Sequence, residues 1–168
     1  AHHNSGDYPA DPAMEAAQTF VTRLGEAGIT VTGTVARAAS PADAVELAKV
    51  DSAPLEDILK VSLKSSDNTM TEVEGRLLAS AVHQEASFEG ASAAVMSQLT
   101  KDGFDVTGAV LLDSSGLAKG NKVPARLLTQ IMTKAAGGEG GSAGRTLIAD
   151  LPVAALDGTL DKRLHDTT

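Results

Sequence analysis

At 168 residues the chain is long enough to bury one core, and a single domain is the simplest expectation. Its 42% hydrophobic content against 21% charged residues reads as folded rather than disordered, and no run approaches the ~18 apolar residues of a membrane-crossing helix. A net charge of −8 disfavours nucleic acid, whose phosphates need clustered Lys and Arg, and the absence of cysteine removes thiol catalysis, disulfides and thiolate metal sites together.

The N-terminal stretch has neither the basic nor the apolar segment of a secretory leader. Its His2-His3 pair reads as part of a disordered end. His83 and His165 read as residues of solvated helix faces; with no ligand spacing among the four histidines, neither metal nor cofactor is expected. A first helix is predicted from Pro12 to Ala27, with Phe20, Val21 and Leu24 on one face and Gly28 as its stop. Ile29, Val31 and Val35 alternate across Gly33 and predict one or two short strands, and Pro41 to Val50 could form a short helix. From Pro54, Glu56 and Asp57 suit the start of a helix and Lys60 and Lys64 its end, with Leu55, Ile58, Leu59 and Leu63 as the buried stripe.

Met70, Val73, Leu77, Ala81 and Val82 continue at helical spacing, with Thr69 and Glu72 as a capping box and Glu72 with Arg76 as an i,i+4 pair. A further helix fits Gly90 to Asp102, closed by Gly103. "FDVTGAVLLD" then reads as a strand ending in the turn Ser114-Ser115-Gly116. Pro124 opens a helix whose face is Leu127, Leu128, Ile131 and Ala135. The glycine-rich stretch Gly137 to Gly144 lacks the Gly-Lys-Ser/Thr of a phosphate loop and reads as a flexible surface loop. Mostly helical with two or three strand candidates, the order points to an α+β class.

The joint between the helix that starts at Pro54 and the one that carries Met70 is Ser65-Ser66-Asp67-Asn68, more short polar side chains than a turn requires. Capping alone could explain them, because such side chains satisfy the orphan N–H groups that begin a helix. Ser-Asp-Asn is also the second element of the serine acyl-transferase set Ser-x-x-Lys, Ser-Asp-Asn and Lys-Thr-Gly. The flanks favour the second reading. "SAPLEDILKVSLKSSDNTMTE" (52–72), "LLDSSGLAKGNKVPARLLTQIM" (111–132) and "LPVAALDGTLDKRL" (151–164) resemble, in order, segments of the penicillin-binding D-alanyl-D-alanine carboxypeptidases and endopeptidases of peptidase family S13. "AAQTFVTRLGEAGITVTG" (16–33) is similar to the stretch that resumes their acyl-transferase domain after its inserted domains.

The resemblance implies the mostly helical part of a β-lactamase/transpeptidase-like fold, helices packed on an antiparallel sheet, incomplete at both ends: one partial domain over 1–168. It implies an enzyme whose Ser-x-x-Lys serine attacks the penultimate D-alanine of a peptidoglycan stem peptide ending in D-Ala-D-Ala, forming an acyl-enzyme that water resolves. Ser66 would relay a proton between the catalytic lysine and the leaving amine. Asn68 would orient the substrate carbonyl and hold that lysine. Asp67 would hold the turn, and Lys64 reads as a solvated helix-end residue that could add positive potential. β-Lactams would acylate the intact enzyme, and the setting would be extracytoplasmic, periplasm or cell wall.

The departures are equally definite. No serine has lysine three residues on, and no lysine precedes Thr-Gly or Ser-Gly. This chain alone is therefore expected to be inactive, to look for the missing remainder of its own domain as partner, and to expose an apolar face. The alternative is a non-catalytic module with the same scaffold that binds peptidoglycan peptides or a partner. A serine β-lactamase fragment would share the motif logic, but the Asp-x-Ser-Gly-Leu and Gly-Thr-Leu stretches favour the peptidase.

Overall fold

The computed structural model describes residues 9–164. The chain divides into two units, Ala1–Asp51 and Ser52–Thr168. In the first, α1 (Pro12–Glu26) begins where Asp11 Oδ1 accepts from Met14 N at 3.1 Å and Pro12 supplies a pre-set φ, and it stops before Gly28, at φ +82°. Arg37 donates to the same Asp11 oxygen at 2.6 Å, tying the following stretch back to the helix start.

The alternation of Ile29, Val31 and Val35 does not become a strand. A strand is made by pairing with a neighbouring strand, and this segment has none among the described residues; Ile29 N donates instead to Leu24 O at 2.8 Å, closing the end of α1. The short helix expected over Pro41 to Val50 is also absent; one turn, Ala44 N to Pro41 O at 3.1 Å, is all that forms. Val45, Leu47 and Val50 are almost wholly exposed, so no buried face offsets the cost of nucleating so short a helix.

The second unit runs α2 (Leu55–Ser65), α3 (Asn68–Ala81), α4 (Phe88–Lys101), α5 (Ala125–Ala136), α6 (Gly141–Asp150) and a 3-10 turn at Gly158–Leu160. α2 has the expected polarity, acidic at Glu56 and Asp57 and basic at Lys64. α4 starts before Gly90 because Ser87 Oγ accepts from Gly90 N at 3.1 Å. α3 packs on α4 through small residues: Ala79, Ala91 and Ala94 are essentially inaccessible, and a Cβ on Gly75 would lie 3.3 Å from Ala91 Cβ. On α5, Leu127 and Ala135 are buried as expected, whereas Leu128 is half exposed.

Two further expectations are corrected. The predicted strand at Phe104 to Asp113 reduces to one antiparallel bridge, Val110 with Lys122. The glycine-rich stretch is no flexible loop: α6 begins inside it, and a Cβ on Gly144 would sit 2.9 Å from Ala135 Cα. Glycine there permits close approach of α6 to α5.

The mostly helical character therefore holds, and no strand ladder exists among the described residues. Among the described residues the buried hydrophobic side chains are four alanines and Leu127, while Leu55, Leu77, Phe88 and Leu117 are each about half exposed or more. Full burial of one such side chain is worth roughly 1.5–3 kcal/mol, so much apolar driving force is left unused on this surface.

Candidate active site

The α2–α3 joint is closed by backbone and by one side chain. Ser66 occupies the left-handed region at φ 53°, ψ 49°, its N–H directed to Ser62 O. Asp67 N donates to Ser62 O at 3.2 Å, and Asp67 Oδ1 caps α3 by accepting from Met70 N at 3.0 Å. Thr71 Oγ1 donates to Asp67 O at 2.9 Å. The capping box expected from Thr69 and Glu72 does not form, because Asn68 is the first helical residue and Thr69 already lies inside the helix.

Asp67 thus carries the cap, and the residues on either side of it are left out. Ser66 and Asn68 are both exposed, and neither side chain takes part in a side-chain hydrogen bond among the described residues. A non-glycine residue in the left-handed region costs about 1–2 kcal/mol, so the joint holds Ser66 in a conformation that local preference opposes. Neither residue lines the groove between α2 and α3, which is bounded by Leu55, Leu59, Leu77, Leu78, Val95 and Val123 and measures about 790 Å³.

Polar contacts continue below the turn. Ser62 Oγ donates to Glu74 Oε2 at 3.2 Å and lies 3.2 Å from Thr71 Oγ1. Desolvation raises the Glu74 carboxyl above its ordinary value and the Asp67 charge adds to this, against the hydrogen bond from Ser62. Glu74 Oε1 and Ser114 Oγ are buried without a hydrogen-bond partner among the described residues.

Three contacts that sequence spacing did not announce frame the site. Glu72 reaches forward: its Oε1 accepts from Ser114 N at 3.1 Å and Ser115 N at 2.9 Å, while its Oε2 lies 3.7 Å from Arg76, the expected pair. Asp113, buried, shapes the Ser114-Ser115-Gly116 turn by accepting from Gly116 N, Ala118 N and Asn121 Nδ2. Desolvation pushes its carboxyl up, but the donors of Asn121, Ala118, Gly116 and Ser115 together hold it below its usual value.

The third contact overturns the reading of Lys64 as solvated. Its side chain is only 17% exposed, and its Nζ donates to Leu151 O at 2.6 Å and to Asp157 Oδ1 and Oδ2 at 2.9 and 2.7 Å. Residues 87 and 93 positions apart leave no periodic trace in a sequence, though the Gly-Thr-Leu stretch that holds Asp157 was visible as a block. With its ammonium so engaged, Lys64 offers no free base to Ser66. Among the described residues no group of His, Asp and Glu is arranged to hold a metal ion, and no helix is long and apolar enough to cross a membrane. His83 is exposed just beyond α3; His2, His3 and His165 lie outside the described residues.

The sequence is 41% identical over 157 residues to a carboxypeptidase of Mycobacterium tuberculosis, covering 92% of this chain and 32% of that protein. It is 38% identical over 156 residues to the carboxypeptidase DacB of Mycolicibacterium smegmatis, covering 93% and 33%. The fold matches penicillin-binding protein 4 (dacB) of Haemophilus influenzae, solved in complex with a β-lactam, with a TM-score of 0.78 at 32% identity over 88% of this chain and 34% of that one. The chain thus spans about a third of the length of these relatives. Residues 8–168 match the D-Ala-D-Ala carboxypeptidase 3 (S13) family, and the chain belongs to it.

Proposed function

We propose that the protein carrying this chain is a serine D-Ala-D-Ala carboxypeptidase that cleaves peptidoglycan stem peptides outside the cytoplasmic membrane, and that Ser66 and Asn68 form one wall of its active site. The observation that carries the assignment is the division of labour in the joint. Asp67 takes the capping hydrogen bond, and the two residues flanking it keep their polar atoms for something else. The left-handed Ser66, held against its preference, agrees with a turn shaped for presentation.

The roles follow from donor and acceptor capacity. The nucleophilic serine of a Ser-x-x-Lys segment outside this chain adds to the carbonyl of the penultimate D-alanine, and the C–N bond breaks as the leaving D-alanine amine takes a proton. A serine hydroxyl accepts from lysine and donates to an amine at once, so Ser66 passes that proton on. The Asn68 amide donates to the substrate's peptide carbonyl, while its oxygen accepts from the lysine. Water then hydrolyses the acyl-enzyme. β-Lactams enter by the same acylation, and the rest of the domain is this chain's partner.

Acylation of the full-length protein by a fluorescent penicillin, with release of D-alanine from a D-Ala-D-Ala peptide, tests the reading. Ser66→Ala is expected to slow acylation while leaving the protein folded; an unchanged rate removes Ser66 from the mechanism. The 168-residue chain alone, which holds no Ser-x-x-Lys, should form no covalent adduct with benzylpenicillin by intact mass. A stoichiometric adduct on it would place the nucleophile elsewhere.

A further inference from the structure

Resting on that reading of Ser66 and Asn68, we propose that Lys64 is a positioning residue for their turn, a strut that locks the last turn of α2 to the loop 151–160. An ammonium has three N–H donors, and here three acceptors receive them: Leu151 O and both oxygens of Asp157. Asp157 is itself fixed by its own loop, Oδ1 accepting from Val153 N at 2.9 Å. The loop is closed on itself, with Asp157 N donating to Val153 O and Ala155 N to Leu160 O.

The same loop touches Lys64 a second time, at the main chain. Gly158 stands at φ +62°, and a Cβ there would fall 2.8 Å from Lys64 O. Only glycine allows both the conformation and the approach. Lys64 is thereby held at its ammonium and closely packed at its carbonyl, at the end of a helix, where carbonyls lack intrahelical partners and turns fray. Ser66 lies two residues on, and its N–H is directed to Ser62 O in the turn so held. Any rotation of that turn swings Ser66. An exposed ion pair contributes little to stability, and an Asp–Lys pair on a surface would need no glycine beside it.

The experiment uses the full-length protein and separates the limiting acylation rate from penicillin affinity by varying penicillin concentration. Lys64→Met and Asp157→Asn are expected to lower the limiting rate about 10- to 100-fold with affinity changed less than about 3-fold, the signature of a displaced group rather than a lost binding contact. Gly158→Ala, which reaches the strut from the main-chain side with the ammonium intact, should give the same split. The Lys64→Met/Asp157→Asn double variant should be no worse than the more damaging single one. Melting temperatures that fall with unchanged limiting rates would overturn the proposal and leave a stabilising contact only, as would rates and affinities that fall in proportion. Where Lys64→Met does not accumulate folded, Asp157→Asn decides. Asn68→Ala serves as the control on the underlying reading: if it slows acylation and the strut variants do not, the strut fails alone; if it too has no effect, both fail.

Discussion

Two joints in the second unit each connect consecutive helices in a few residues, and they use opposite materials. Between α5 and α6 the chain turns on glycines, with Gly138 at φ +83°, and the helices then close to backbone contact where Gly144 meets Ala135. Every departure from ordinary backbone geometry there falls on a residue that tolerates it. Between α2 and α3 the left-handed position is given to Ser66, and polar side chains extend below it through Ser62, Thr71 and Glu74. One joint minimises strain, and the other carries strain while presenting polar atoms. The α3–α4 joint also gives its left-handed position to a non-glycine residue, His83 at φ 60°, so what sets the α2–α3 joint apart is the run of polar contacts beneath it.

The largest expected effect breaks the comparison at its functional end. In the full-length protein, Asn68→Ala should slow penicillin acylation by ~10²-fold or more, the range for losing one positioned polar donor. Glu139→Ala, at the exposed tip of the glycine joint, should leave acylation unchanged. Equal effects from both would remove the functional distinction between the joints.

The next effect belongs to the glycine joint alone. Gly144→Ala would force a methyl to 2.9 Å from Ala135 Cα and 3.2 Å from Ala135 O. Backbone cannot move aside as a side-chain end can, so a destabilisation of ~1–3 kcal/mol is expected, seen as a lower melting temperature. The acylation rate per folded molecule should not change.

A mirror pair follows, smaller still. Gly138→Ser places a side chain at φ +83° and should cost ~1–2 kcal/mol. Ser66→Gly relieves the same strain, offset in part by glycine's greater unfolded freedom, so stability should be unchanged or rise by up to ~1 kcal/mol while acylation falls. A Ser66→Gly protein that melts lower would mean that the serine side chain stabilises the joint.

How much of this was legible in the sequence depends on the range of the interaction. Helix starts are local, and Pro12, Pro54 and the dipole order of α2 could be read directly. The α3 cap could be misread, because Thr69 and Glu72 have the spacing of a box, and only the structure shows Glu72 spent on the amides of Ser114 and Ser115. The strands at Ile29 to Val35 and before Asp113 failed for a related reason: alternation states which face a strand would bury, and says nothing of whether a neighbour is there to pair with it. Composition misled at Gly137 to Gly144, where glycine serves packing as well as turning. At the candidate site, it is a tripeptide and its flanks that point to Ser66 and Asn68, whose roles are the proposal the acylation assay tests. Local spacing makes Lys64 a solvated helix end, and its true partners, Leu151 O and Asp157, lie across the unit.

The smallest effect probes how deep the polar chemistry of the α2–α3 joint runs. Glu74 sits about two turns into α3 from Asp67, and its carboxyl is raised chiefly by desolvation, with the Asp67 charge adding to it, so the folded protein holds this proton more tightly than the unfolded chain does. Stability from this group is therefore complete below the ordinary value of 4.5 and is lost as pH rises from there through Glu74's own raised pKa. Above that window the protein carries a carboxylate that is partly desolvated, with Oε1 lacking a hydrogen-bond partner among the described residues. Glu74→Gln keeps the shape and can still accept from Ser62, but has no charge to desolvate. It should melt slightly higher than the parent at neutral pH and match it more closely in acid, flattening the stability-against-pH curve in that window. A curve that keeps its parental slope in Glu74→Gln would mean that the carboxyl is solvated in the folded protein, and that the polar interior of the joint ends at Thr71.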